Sequence, residues 1–146
     1  MSKEPAQVVR AFYDAVAARD SNGLSEIVKN SFHADASISW PEGLPYGGRV
    51  EGASRLSRLF VGMVSSPVPV GPSGLEVVSI VDGGTQVAAQ LEFSWHAPGS
   101  SDSIPSGALE LWTFDGGKVS EIRAYYWDTA ACRDLVKDTQ AASADA

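Results

Sequence analysis

The residues that usually carry metal, redox or nucleophile chemistry are scarce in this sequence: one cysteine (Cys132), two histidines (His33 and His96) and two methionines. A lone cysteine closes no internal disulfide and fits a reducing compartment. With one histidine at a helix end and the other on a polar strand phase, no metal site assembles at the usual ligand spacing, and no cofactor is expected. There is no glycine-rich phosphate loop after a strand and no nucleophile elbow. Basic residues are few, 11 Lys and Arg against 18 Asp and Glu, giving a net charge of -7 without a basic cluster. Nucleic acid and anionic membrane are therefore not the partners to expect. No run approaches the roughly 18 apolar residues that cross a bilayer. The opening Met1-Ser2-Lys3-Glu4-Pro5 lacks an apolar signal core, so the expectation is a cytoplasmic protein.

What is present organises into one domain, residues 1–136, with 137–146 too small and polar to pack and expected as a disordered tail. Val8, Val9, Phe12, Tyr13 and Val16 recur at helical spacing from Gln7 to Arg19. A breaker cluster follows at residues 20–23, and Leu24, Ile27, Val28 and Phe32 predict a second helix ending near His33. Ala36 to Trp40 alternates as a strand and stops at Pro41. Glu42 to Gly52 is a glycine-rich reversal with a short irregular strand, and Ala53 to Val64 a third helix carrying Leu56, Leu59, Phe60 and Met63 on one stripe. Residues 65–74, with three prolines, read as a stiff connection rather than a helix or central strand. Strands follow at Leu75–Val81 and along Val87, Ala89, Leu91, Phe93 and Trp95, the cleanest two-residue period in the chain. Residues 98–107 read as a flexible loop, and Thr129 to Val136 as helical or ragged.

The hairpin from Ala108 to Trp127 organises the rest. Asp115-Gly116-Gly117-Lys118 supplies residues that reach positive φ without steric cost, the mark of a tight turn. Alternation puts Ala108, Glu110, Trp112 and Phe114 on one face, and Ile122, Ala124, Tyr126 and Asp128 on one face of the partner strand. If both faces look inward, two carboxylates enter an aromatic cavity, where desolvation raises their pKa values. Helices first and long hairpin strands last predict an α+β fold: a cone-shaped, curved antiparallel sheet packed on three N-terminal helices and enclosing a pocket.

Several stretches resemble the SnoaL-like polyketide cyclases: Arg10-Ala11-Phe12-Tyr13, residues 32–41, residues 47–52, and Phe114 to Val119 running into Tyr126-Trp127-Asp128. That family belongs to the nuclear transport factor 2-like (cystatin-like) superfamily, with ketosteroid isomerases, scytalone dehydratases and limonene epoxide hydrolases. The resemblance covers nearly the whole domain and implies the same roll. Glu110 falls where ketosteroid isomerases place an acidic pocket residue. Trp40 and Phe12 stand where those enzymes hold their base and their oxyanion-binding tyrosine, so that mechanism is not carried over. Ala108 and Trp112 flank Glu110 where the epoxide hydrolases need Arg and Asp. Asp128 resembles an acidic residue near the end of the last strand.

The expected function is a cofactor-independent acid/base enzyme of natural-product biosynthesis, cyclising, isomerising or dehydrating a hydrophobic carbonyl compound. Glu110, Asp128 and Tyr13 are the catalytic candidates. Trp40, Glu42, Tyr46, Phe60, Trp112 and Tyr126 are the substrate-binding ones, suited to a flat aromatic ligand. Each has a plainer alternative: core packing for the aromatics, and an N-cap for Asp128. The alternative functions are a ligand-binding or dimerising module, and an epoxide hydrolase with a rearranged acid pair. The resemblance implies a homodimer through the outer sheet face, with Gln90, Glu92, Arg123 and Tyr125 as contact candidates.

Overall fold

Pro5, whose missing N–H costs nothing at a first helical position, starts α1 (Pro5–Ala17), which buries Val8, Val9, Phe12 and Tyr13. The computed structural model describes residues 3–67 and 70–144. Asp20 caps α2 (Ser21–Ser31) by accepting from the Gly23 amide at 2.9 Å. Strands β1 (Phe32–Trp40) and β2 (Gly48–Glu51) precede α3 (Ala53–Ser65), whose buried stripe is Leu56, Phe60 and Val64; Met63, expected on it, is half exposed. The remaining elements are β3 (Gly71–Asp82), β4 (Gln86–His96), β5 (Ser103–Asp115), β6 (Lys118–Tyr126) and α4 (Thr129–Ala144). The fold is α+β, a curved six-stranded sheet with N-terminal helices.

The strands run in the order β2-β1-β6-β5-β4-β3. Four of the five pairings are antiparallel, but β1 and β6 are parallel, a departure from an all-antiparallel sheet. Parallel neighbours need a long crossover, and α3 with the three following strands supplies it. β1 begins at Phe32, ahead of the expected Ala36, because its pairing with β6 is irregular between Phe32 and Ser37 and masks the two-residue period.

Three more differences have local causes. The expected stiff connection gives way to strand at Gly71, with Pro72 paired opposite Trp95; β3 lies at the sheet edge, where a proline breaks no second ladder. Val68 and Pro69 of that connection lie outside the described residues. The expected loop 98–107 becomes strand at Ser103, with Pro105 opposite Ser94. At that level β5 has no β6 residue beside it, since their pairing begins at Ala108 and Tyr126. Lastly, α4 runs through the expected disordered tail to Ala144; Lys137, Gln140, Ala141 and Ala142 are strong helix formers.

The hairpin turn is as expected, with φ of +58° at Gly116 and +82° at Gly117. Register across the helix-covered face places Glu110 between Ala89 of β4 and Ala124 of β6, and Trp112 between Val87 and Ile122. Both cross-strand neighbours of the carboxylate are therefore small. The opposite face exposes Leu109, Val81 and Tyr125, with Trp127 beyond the end of β6 at 89%. Among the described residues no helix is long and apolar enough to cross a membrane.

Candidate active site

Two tryptophan–tyrosine pairs stand under the helices. In the first, the Trp112 indole N–H donates to the Tyr13 hydroxyl oxygen at 3.0 Å, and Tyr13 O–H donates to Glu110 Oε1 at 2.6 Å. The contact joins α1 to β5. Tyr13 is buried at 2% exposure, whereas Glu110 keeps partial exposure. Desolvation pushes the Glu110 carboxyl above its ordinary value, opposed by the Tyr13 hydrogen bond. Burial, and then the Glu110 charge, push Tyr13 well above its own ordinary value. Among the described residues, Glu110 Oε2 has no hydrogen-bond partner.

In the second pair, the Trp95 indole N–H donates to the Tyr46 hydroxyl oxygen at 2.9 Å, and Tyr46 and Tyr126 share a hydrogen bond of 2.6 Å. The reversal between β1 and β2 carries Tyr46, and β6 carries Tyr126. Gly71 lets Tyr46 in: its φ is +77°, and a Cβ there would lie 3.0 Å from the Tyr46 hydroxyl. Burial raises Tyr46 to about 12, and it raises Tyr126 further. The Glu110 charge is among the influences that raise each, so the carboxylate and both hydroxyls share one electrostatic neighbourhood. Trp40 meets Tyr46 edge-on with ring centroids 5.6 Å apart, and Phe93 lies against Tyr126 at 5.7 Å.

Three candidates sit elsewhere, and a fourth, Trp112, reaches the site through one atom. Asp128 is exposed, and its Oδ1 accepts from the Ala131 amide at 3.0 Å. β6 has ended at Tyr126, so the strand alternation that would turn Asp128 inward no longer operates, and the carboxylate caps α4. Phe60, 1% exposed, packs edge-on against Phe12 at 4.9 Å and Phe32 at 6.2 Å, in the core rather than on a pocket wall. The Trp112 ring, fully buried, meets Phe12 at 5.0 Å; only its N–H reaches the polar cluster. Glu42 is exposed and lines a cleft of about 550 Å³ where β1 and β6 part, with Trp40, Arg49, Arg123 and Tyr126. Tyr126 thus joins that cleft to the interior cluster. A second cleft, about 660 Å³ between α1, α2 and the β5–β6 turn, is remote from Glu110.

Sequence reasoning missed Trp95 as a site residue. Its inward phase was legible, and a buried indole N–H needs an acceptor, which was the available signal. Cys132 of α4 is fully buried. Desolvation raises its thiol, with the Ser106 hydroxyl opposing the shift. Among the described residues no three His, Cys, Asp or Glu side chains gather as a metal site.

The family model described as a SnoaL-like domain matches residues 9–122. No curated protein matches the sequence. Similar solved structures include an NTF2-like protein from Burkholderia thailandensis E264 (TM-score 0.73, 18% identity, 91% of this chain and 97% of that one). Another is a putative SnoaL-like polyketide cyclase from Jannaschia sp. CCS1 (TM-score 0.63, 16% identity, 93% and 97%). A third is TerC co-crystallized with polyporic acid (TM-score 0.65, 19% identity, 90% and 97%). At these identities the likeness is one of fold.

Proposed function

The chain belongs to the SnoaL-like domain family, and from that premise we propose that it is an acid/base enzyme acting on an enolisable carbonyl compound, with Glu110 as the proton-transfer group. One observation carries this reading: a carboxylate on an otherwise apolar sheet face, anchored at one oxygen by Tyr13 and without a hydrogen-bond partner at the other among the described residues. A carboxyl raised by desolvation is a stronger base once ionised, which suits proton transfer from carbon.

In the proposed step, Glu110 Oε2 takes a proton from the carbon beside the carbonyl. The C–H electron pair moves into the enolate, and the proton is returned to another carbon in isomerisation, to the departing hydroxyl in dehydration, or to the alkoxide left when the enolate carbon attacks a second carbonyl in cyclisation. Cyclisation, isomerisation and dehydration all begin this way. Tyr13 does not touch substrate in this scheme; it fixes the carboxylate and holds its basicity below what burial alone would give. Trp40, Tyr46 and Tyr126 supply aromatic surface for a flat apolar substrate. A similar structure named as a putative SnoaL-like polyketide cyclase, and another co-crystallized with polyporic acid, support the choice of substrate class.

The test uses 2-tetralone as a small apolar ketone in deuterated water. The native chain is expected to accelerate exchange of its α-hydrogens, and Glu110→Gln to lower that acceleration at least about a hundredfold, the usual range for a lost general base. Unchanged exchange in a folded Glu110→Gln protein removes Glu110 from the chemistry.

A further inference from the structure

The protons of the two clusters do not come out alike. In the first, Trp112 and Tyr13 bring two N–H or O–H protons, and both are used: one on the Tyr13 oxygen and one on Glu110. In the second, Trp95, Tyr46 and Tyr126 bring three, but only two hydrogen bonds exist among them. Whichever tyrosine donates in the shared bond, one hydroxyl proton is left over. No acceptor for it stands among the described residues.

That proton lies on the Glu110 side of the sheet, since Tyr126 pairs with Ala108, the inward position next to Glu110 on β5. Tyr46 and Tyr126 are both partly exposed, Tyr126 borders the cleft between β1 and β6, and both hydroxyls feel the Glu110 charge. We propose that Tyr46 and Tyr126 act as one catalytic donor, delivering their surplus proton in a hydrogen bond to the oxygen on which negative charge develops while Glu110 works on the neighbouring C–H. The inference rests on the Glu110 reading and names the other half of the same site. The substrate class narrows accordingly: the carbonyl oxygen and the acidic C–H lie on one edge of the molecule, the oxygen towards the tyrosines and the carbon towards Glu110. Trp95 supports the pair by giving Tyr46 a hydrogen bond that polarises its hydroxyl without consuming a hydroxyl proton.

The same count predicts how the pair fails. Tyr126→Phe leaves Tyr46 accepting from Trp95 with its own proton free, and Tyr46→Phe leaves the Tyr126 proton free. Either single change displaces the donor, and only the double change removes it.

4-Nitrophenol is the probe, because its phenolate resembles an enolate and is distinguished from the phenol by absorbance. The full-length Glu110→Gln protein is the background, since it admits an anion beside position 110. There the phenolate is expected to bind roughly tenfold to a hundredfold more tightly than the phenol, as a charged hydrogen bond gives. Adding Tyr46→Phe or Tyr126→Phe should reduce that preference severalfold, and adding both should abolish it while the far-ultraviolet circular dichroism stays native. Lack of a phenolate preference, its survival in the double tyrosine variant, or no saturable binding in the millimolar range overturns the proposal. These outcomes are separate from loss of tetralone exchange in Glu110→Gln, so the base and the donor can fail independently.

Discussion

The two tryptophan–tyrosine pairs are built from the same parts and end differently. The Trp112 N–H goes to the Tyr13 oxygen and the Tyr13 O–H to the Glu110 carboxylate, which leaves no donor proton of that chain unused. Trp95 and Tyr46 meet another hydroxyl, which leaves that chain one acceptor short. What differs is the residue at the end: Glu110, set between two alanines on neighbouring strands, against Tyr126, bordering a surface cleft. A chain whose donors are all used holds a group in place, whereas a chain with a spare donor is ready to hold something else.

Cutting each chain at its tyrosine tests this contrast most directly. Tyr13→Phe strands both the Trp112 N–H and Glu110 Oε1 in a buried setting, so a loss of about 3 kcal/mol is expected in urea denaturation. It also removes the hydrogen bond that opposes desolvation, so Glu110 should titrate still higher, as read by carbon-13 NMR of the carboxyl. A loss below about 1 kcal/mol would mean that the first chain is no better satisfied than the second.

The next effect is a pH dependence of stability. Glu110 has a folded pKa above its ordinary value of 4.5, so between the two values the folded state binds more protons than the unfolded one. Its contribution to stability is then full below the unfolded pKa and is lost as pH rises through the folded pKa. A tenfold difference in proton affinity between the folded and unfolded states corresponds to about 1.4 kcal/mol. Comparing native and Glu110→Gln proteins from acid to neutral pH should show the native chain losing stability relative to the variant through this window. A constant difference would place Glu110 at its ordinary value.

Smallest is Tyr126→Phe in the otherwise native chain. Because Tyr46 still accepts from Trp95, no N–H is stranded, and the expected loss is about 0.5 kcal/mol in the same urea titration. A loss matching that of Tyr13→Phe would erase the distinction between the chains.

Much of this site could be read before folding was considered. The alternation of β5 and β6 put Glu110 and Tyr126 on inward faces, and the burial cost of a carboxylate singled out Glu110. The same alternation misled at Asp128, because it extends a strand that the structure ends at Tyr126, two residues earlier. Phe60 and Trp112 were legible as inward aromatics, but an inward ring can face a neighbour or a void, and theirs face Phe12. Trp95 was visible as a core position, and its role depends on the Tyr46 hydroxyl arriving from a loop 49 residues away. Proline misled at β3, since its tolerance depends on which strand edges are unpaired, and the serine-rich stretch before Gly107 hid the start of β5 at Ser103.

The local chemistry of this sequence was enough to set its helices, turns and inward-facing residues, because spacing and φ preference act over a few residues. The bond between Tyr13 and Glu110 spans 97 residues. It exists only once α1 has packed over the sheet and β5 has found its register. Which hydroxyl meets a carboxylate, and which is left with a proton to give, is decided by that packing: a hydrogen bond needs its two atoms within about 3 Å, a precision that no periodicity in the chain can specify.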